Sequence, residues 1–227
     1  MSDQSLVSLH FSQPEFATIC IGTPEQRANV LDWATLSELE QAIDAIADRE
    51  LNGMVLYSAL PNMFVAGADL NQIRETSDYT QQQVIEFCER GRAVMRKLSS
   101  LAFPSVAAIH GAAAGGGLEL AMHCDYRIAS DAPVTRLGLP EVKIGLIPGW
   151  SGTVHLPRLI GFGKAVDLIT SGRLIDAKEA AEIGLVDELV SFSEGVSAAE
   201  LLLTSAIRVL EGVDAVSYTH LTLPTKA

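Results

Sequence analysis

Apolar residues in this chain recur in two rhythms, short continuous runs and longer stretches with a spacing of three or four. The runs LVSLHF and FATICIG, joined by SQPE, predict a strand hairpin turned at Pro14. From Asp32, a residue suited to capping, Trp33, Leu36, Leu39, Ile43 and Ile46 recur at helical spacing and predict an amphipathic helix. GMVLYS predicts a short buried strand. After PNMFVAGADL and a polar stretch, Val84, Phe87, Cys88, Gly91, Val94, Met95 and Leu98 share one face of a second predicted helix.

The alternation continues with SVAAIHG as a strand, a run of glycines, LELAMHC as a helix and YRIAS as a strand. Repeated strand, glycine-bearing turn and helix predict an α/β fold. GKAVDLITSG, DAKEAAEIGL and AAELLLTSAIRVL return to helical spacing, with Asp176 as a cap and Gly172 and Gly184 as stops. The last segment, SYTHLTLPTKA (Ser217 to Ala227), has no helical periodicity and no acid. Its change of style predicts a non-native tail from a cloning or assembly junction. The expected organisation is a catalytic core over 1–190, the start of a C-terminal helical region over 191–216, and the tail over 217–227.

Composition narrows the partners. The 227 residues suit one α/β core, and the 48% hydrophobic content can fill it. A formal net charge of −12 gives a nucleic-acid backbone little reason to approach. A small anionic ligand stays compatible, because local amides bind anions on an acidic protein. Cys20, Cys88 and Cys124 form no CxxC pair, so core thiols are expected, not a disulfide framework or a zinc site. The start MSDQSLVSLHFSQPEF lacks signal-peptide features and no apolar run reaches membrane-spanning length. A cytoplasmic protein with no membrane partner and no bound metal is expected.

Two carboxylates stand out by context. Glu119 follows Gly115-Gly116-Gly117, and Glu141 follows Pro140 in LGLPEVKIGLIPG, so both should be shielded from water. Each has a purely structural alternative, Glu119 as a first-turn helix acid and Glu141 as a loop acid paired to Lys143 or an Arg. The glycines favour chemistry, since glycine lets a backbone N–H approach a ligand closely and hold developing negative charge. FVAGADL, with Ala66, Gly67 and Ala68, is a second small-residue turn after a strand. Two such turns aimed at one carbonyl oxygen suit enolate chemistry.

The segments MFVAGADL, AIHGAAAGGGLELAMHCDYRIASD and LGLPEVKIGLIPGWSGTVHLPRLIG, in that order within Leu6 to Val190, resemble the crotonase superfamily. The resemblance is greatest to enoyl-CoA hydratases and to the hydratase part of multifunctional fatty-acid oxidation proteins. It implies a ββα superhelix, with Glu119 and Glu141 as catalytic acids and the amides of Ala68 and Gly116 as an oxyanion hole. The acyl-CoA would lie along RANVL and VAGADL, so that Arg27, Ala28, Val30, Ala66, Gly67, Asp69 and Leu70, with Gly115 and Pro140, border the substrate. Gly149 would stand close to the catalytic water. Coenzyme A enters only as part of the substrate, and no separate cofactor is implied.

Water addition to a conjugated thioester needs a base for water, an acid for Cα and amides for the enolate oxygen. Two glutamates therefore favour a hydratase over an isomerase of this fold, which the resemblance associates with a single acid. A third possibility is a truncated, inactive acyl-CoA-binding protein, because the C-terminal helices that complete the family's site and its homotrimer or dimer of trimers fall short here. The chain also departs from the usual GGT pattern at PGWSGTVHL, where Trp150 is large enough to alter the acyl pocket and His155 stands where Arg is common. His110 and His123 read as structural, with a supporting bond from His123 to the Glu119 region conceivable at helical spacing. Asp69 and Asp125 read as capping or pairing residues.

Overall fold

The computed structural model of the chain describes residues 5–69, 80–191 and 198–212, the side chains at 12 and 198–200 excepted. Leu70 and the segment from Ser217 to Ala227 lie outside the described residues. The hairpin forms as its pattern dictates, β1 (Val7–Gln13) running antiparallel to β2 (Phe16–Ile21) across the turn at Pro14. At the start of α1 (Trp33–Ala47) the Asp32 carboxylate accepts the Thr35 N–H at 2.7 Å. Leu36, Leu39, Ile43 and Ile46 point inward, while Trp33 stays partly exposed.

Three units then repeat one path, each a strand in a large sheet, a short strand in a small sheet and a returning helix. They are β3 (Gly53–Ser58), β4 (Met63–Val65) and α2 (Gln81–Leu98); β5 (Ser105–Ile109), β6 (Ala112–Ala114) and α3 (Gly116–Met122); and β7 (Tyr126–Ser130), β8 (Arg136–Gly138) and α4 (Gly152–Ile160). In the third unit a 3-10 turn at Pro140–Ile144 precedes the helix. α5 (Phe162–Ser171), β9 (Ile175–Asp176), α6 (Ala177–Glu182) and β10 (Glu188–Val190) follow. The large sheet is ordered β1-β2-β3-β5-β7-β10 and is parallel from β2 onward. The small one is ordered β4-β6-β8-β9, with β9 antiparallel to β8. This is the ββα superhelix.

Burial explains why the strands read as continuous runs. β5 is buried along its whole length, with Ala107 and Ile109 facing the main core and Val106 and Ala108 facing α7 (Ala198–Gly212). Leu202, Ala206 and Leu210 of α7 cover that second face. A parallel strand covered on both sides has no polar face to alternate with. Gly172 and Gly184 end α5 and α6 with positive φ, and Asp176 caps α6 through the Glu179 N–H at 2.8 Å. All three cysteines are free, Cys20 and Cys124 in the core and Cys88 half-buried. Among the described residues no helix is long and apolar enough to cross a membrane.

Candidate active site

The site forms where the small sheet delivers its strands into helices. Gly67, after β4, has φ +108, and Gly115, between β6 and α3, has φ +54, conformations that a side chain strongly disfavours. A Cβ on Gly67 would lie 2.9 Å from the Ala114 carbonyl oxygen and 3.3 Å from the Gly116 nitrogen. A Cβ on Gly116 would lie 3.4 Å from the Ala68 nitrogen. The two amides expected to share one carbonyl oxygen therefore belong to adjoining turns. Gly116 opens α3, so its N–H has no acceptor within the helix. Ala68 is bridged to Leu31 through the bonds of its neighbours, Leu31 N–H to Gly67 O at 2.8 Å and Asp69 N–H to Leu31 O at 3.4 Å. Neither bond uses the Ala68 N–H.

Glu119 is 2% exposed, on the first turn of α3. Its Oε1 accepts two backbone N–H bonds, from Trp150 at 2.8 Å and Gly152 at 2.7 Å. Burial nevertheless pushes its pKa up to about 7, opposed by the Gly152 bond, reinforced by the charge of Glu141 and opposed again by the Trp150 bond. Glu141 stands in the 3-10 turn, whose start Pro140 pre-organises. It is only half-buried, less shielded than its apolar neighbours suggested, because Val142 to Ile147 are exposed. Its Oε2 is buried without a hydrogen-bond partner, and burial raises its pKa. The proposed pairing to Lys143 or an Arg is thus not what occupies that oxygen. Gly115 leaves room for this carboxyl, since a Cβ there would lie 2.8 Å from Glu141 Oε1.

The segment from Arg27 to Leu31 runs beside β4 and its turn, held by the Leu31 bridge and by the Ala66 N–H to Asn29 O bond at 2.8 Å. Arg27 is exposed and Ala28 and Val30 are half-buried, so this edge is open to a ligand. Asn29, which the sequence reading passed over, anchors it. Its buried Nδ2 donates to Ile21 O, Ser58 Oγ and Phe64 O at 2.9, 2.8 and 3.1 Å.

The departure from GGT is built into the site. Gly149 is exposed and its carbonyl accepts from Arg92 at 3.4 Å. The buried Trp150 indole lies between Gly91 of α2 and Gly116 of α3, edge-to-face with Phe87 at a centroid distance of 5.4 Å. Ser151, at φ 83, turns the chain so that the N–H groups on either side of it meet the same carboxylate oxygen. His123 does not bond Glu119. Its Nε2 lies 3.2 Å from the Trp150 carbonyl oxygen and its Nδ1 2.7 Å from Ser99 Oγ. Burial, then the nearby His155, lowers its pKa to about 4. The His155 ring lies tilted against it at 55°, with the centroids 4.4 Å apart. His110 is buried with Nε2 at 2.6 Å from Leu60 O, and Asp125 accepts the Ser105 N–H and O–H at 2.9 and 2.7 Å, both structural as expected. No group of three metal-ligating side chains gathers among the described residues.

Residues 13–215 match the model of the family described as enoyl-CoA hydratase/isomerase. The chain belongs to that family. It is 41% identical over 191 residues to the fatty acid oxidation complex subunit alpha of Vibrio parahaemolyticus, covering 84% of this chain and 27% of the relative. The same subunit of Vibrio cholerae is 37% identical across 100% of the chain and 31% of its own length. The chain thus spans less than a third of these curated relatives. Among solved structures, an enoyl-CoA hydratase from Bacillus anthracis superposes with TM-score 0.81 at 33% identity, over 97% of this chain and 81% of that one. Pseudomonas aeruginosa DspI superposes with TM-score 0.82 at 31% identity, over 99% and 80%.

Proposed function

We propose that the chain is an enoyl-CoA hydratase that adds water to a 2-enoyl-CoA thioester and yields a 3-hydroxyacyl-CoA. The observation that carries this reading is the convergence of two carboxyls of raised pKa, Glu119 and Glu141, on the turn that presents the Gly116 amide beside Ala68. The Ala68 and Gly116 N–H groups hold the thioester oxygen as it becomes an enolate oxygen. Glu119, with two N–H donors favouring its carboxylate, orients water and takes its proton as the water oxygen bonds Cβ. Glu141, whose Oε2 has no donor to stabilise a charge, delivers the proton to Cα. The enolate collapses, and the net change is addition of one water.

Arg27, Ala28 and Val30, with Ala66, Gly67 and Asp69, border the coenzyme A part of the substrate. No further cofactor enters. The names of the Vibrio relatives support a place in fatty acid oxidation. Assembly as a homotrimer or dimer of trimers is supported by exposed apolar side chains on adjoining elements, including Val142, Ile147, Phe162 and Val166. A single-acid isomerase would leave one of the two carboxyls without a task. The test is the decay of conjugated enoyl-thioester absorbance on adding the purified protein. Binding of acyl-CoA without any decay would overturn the hydratase reading.

A further inference from the structure

Two backbone N–H groups reach a single oxygen of Glu119 only because the chain from Trp150 to Gly152 makes a left-handed corner at a residue other than glycine. Such a corner costs roughly 1–2 kcal/mol and needs its flanks held. The Trp150 side chain is held by the slot between Gly91 and Gly116. Its backbone is held from the other direction, by His123.

A carbonyl oxygen can only accept, so the 3.2 Å approach of His123 Nε2 to Trp150 O requires the proton on Nε2. Nδ1 is then an acceptor, and Ser99 Oγ at 2.7 Å supplies the O–H that fixes this tautomer. The same hydroxyl lies 3.1 Å from the His123 carbonyl and 3.4 Å from Met95 O, so the end of α2 and the end of α3 meet at it. The imidazole is 5% exposed, which keeps water from replacing either bond. We propose that His123 is a positioning residue for Glu119, its Ser99-anchored ring holding the Trp150 carbonyl so that the Trp150 and Gly152 N–H groups stay aimed at Glu119 Oε1. The kinetic side of this inference rests on the hydratase reading; the electrostatic side does not.

Glu119 feels the charge of Glu141 from the 3-10 turn, and His123 feels His155 from α4 and Arg96 from α2. All three neighbours persist when His123 is changed, so a change in Glu119 titration reports the lost positioning. The test is a carbon-13 carboxyl NMR titration of the full chain with labelled glutamate, the Glu119 signal being assigned by its loss in Glu119→Gln. His123→Leu should move the midpoint upward from about 7 by about one unit, since one bond to a charged group is worth roughly 1.5–3 kcal/mol and one unit is about 1.4 kcal/mol. His123→Gln, which keeps a donor for the Trp150 carbonyl, should restore most of the shift. Hydration in His123→Leu should fall about tenfold in kcat with KM little changed. A lowered melting temperature with an unmoved Glu119 midpoint would overturn the proposal. Should His123→Leu fail to fold, Ser99→Ala carries the test, because it frees the tautomer and should move the midpoint the same way; no movement overturns the proposal equally. A shifted midpoint in a protein that shows no hydration would sink the hydratase reading and leave the positioning role standing.

Discussion

The indole of Trp150 fills the space that a side chain on Gly116 would need, its Cζ3 and Cε3 lying 2.5 and 2.6 Å from where a Cβ would stand. The ring is therefore a wall of the proposed oxyanion site, and neither residue can grow without displacing the other. Gly116→Ala keeps the N–H but forces the turn or the Trp150 ring to shift, so hydration is expected to fall, by up to about 10²–10³-fold where the amide loses its aim at the thioester oxygen. Overpacking should also lower stability by about 1–3 kcal/mol. Steady-state kinetics beside chemical denaturation check both; full turnover in Gly116→Ala would show that the Trp150 ring yields to the methyl group and the amide keeps its aim.

Glu119→Gln and Glu141→Gln keep the volume of each side chain, and the amide oxygen in Glu119→Gln still faces the Trp150 and Gly152 N–H groups. Each variant should keep the fold while losing roughly 10²–10⁴ in kcat, the usual contribution of a positioned acid or base. Near-wild-type hydration in either variant would cancel its assigned role. An unchanged rate in Glu141→Gln alongside active double-bond migration would instead favour an isomerase.

Much of this site was legible because glycine and proline have few uses. Gly67, Gly115 and Gly116 stand where a positive φ or a close backbone approach excludes a side chain, and Pro140 starts the turn that carries Glu141. The helices of the fold were legible from spacing, since Leu36 to Ile46 and Phe87 to Leu98 line single buried faces. The short strands β6 and β8 were not, because three residues carry no period, and β4 was legible only as the strand ahead of the FVAGADL turn. Asn29 was passed over, and His123, for which a bond toward the Glu119 region was conceivable, has another partner. Each acts on a backbone carbonyl remote in sequence, Asn29 on Phe64 O and His123 on Trp150 O, and only the packing of β2 on β3, or of α3 beside α4, brings donor and acceptor together.

Ser151 occupies left-handed backbone at φ 83, a conformation that favours glycine. No side-chain hydrogen bond from Ser151 to the cap of α4 offsets that conformation. Ser151→Gly is expected to raise stability by about 1 kcal/mol, because the relief of left-handed strain exceeds the added freedom of the unfolded chain. Hydration should be unchanged, as the Trp150 and Gly152 amides keep their places. A lower midpoint of denaturation would show that the Ser151 hydroxyl contributes more than the backbone conformation costs.

The raised pKa of Glu119 makes stability fall with rising pH. At pH 4 and below, the carboxyl is protonated both in the folded chain and in the unfolded chain, where its ordinary value is 4.5, and it contributes no difference. Between 4.5 and about 7 the unfolded chain releases the proton while the folded one retains it, so each unit of pH costs about 1.4 kcal/mol until the folded carboxyl ionises as well. Above that point the penalty is constant, about 3 kcal/mol for the full shift. Glu119→Gln cannot ionise and should therefore gain stability over wild type by this order at pH 8, with no gain at pH 4. Urea denaturation of the two proteins across that range checks the sign. Equal stability at pH 8 would mean that the two N–H bonds offset the burial of the charge in full, and that Glu119 is already ionised, ready to take the water proton, well below neutrality.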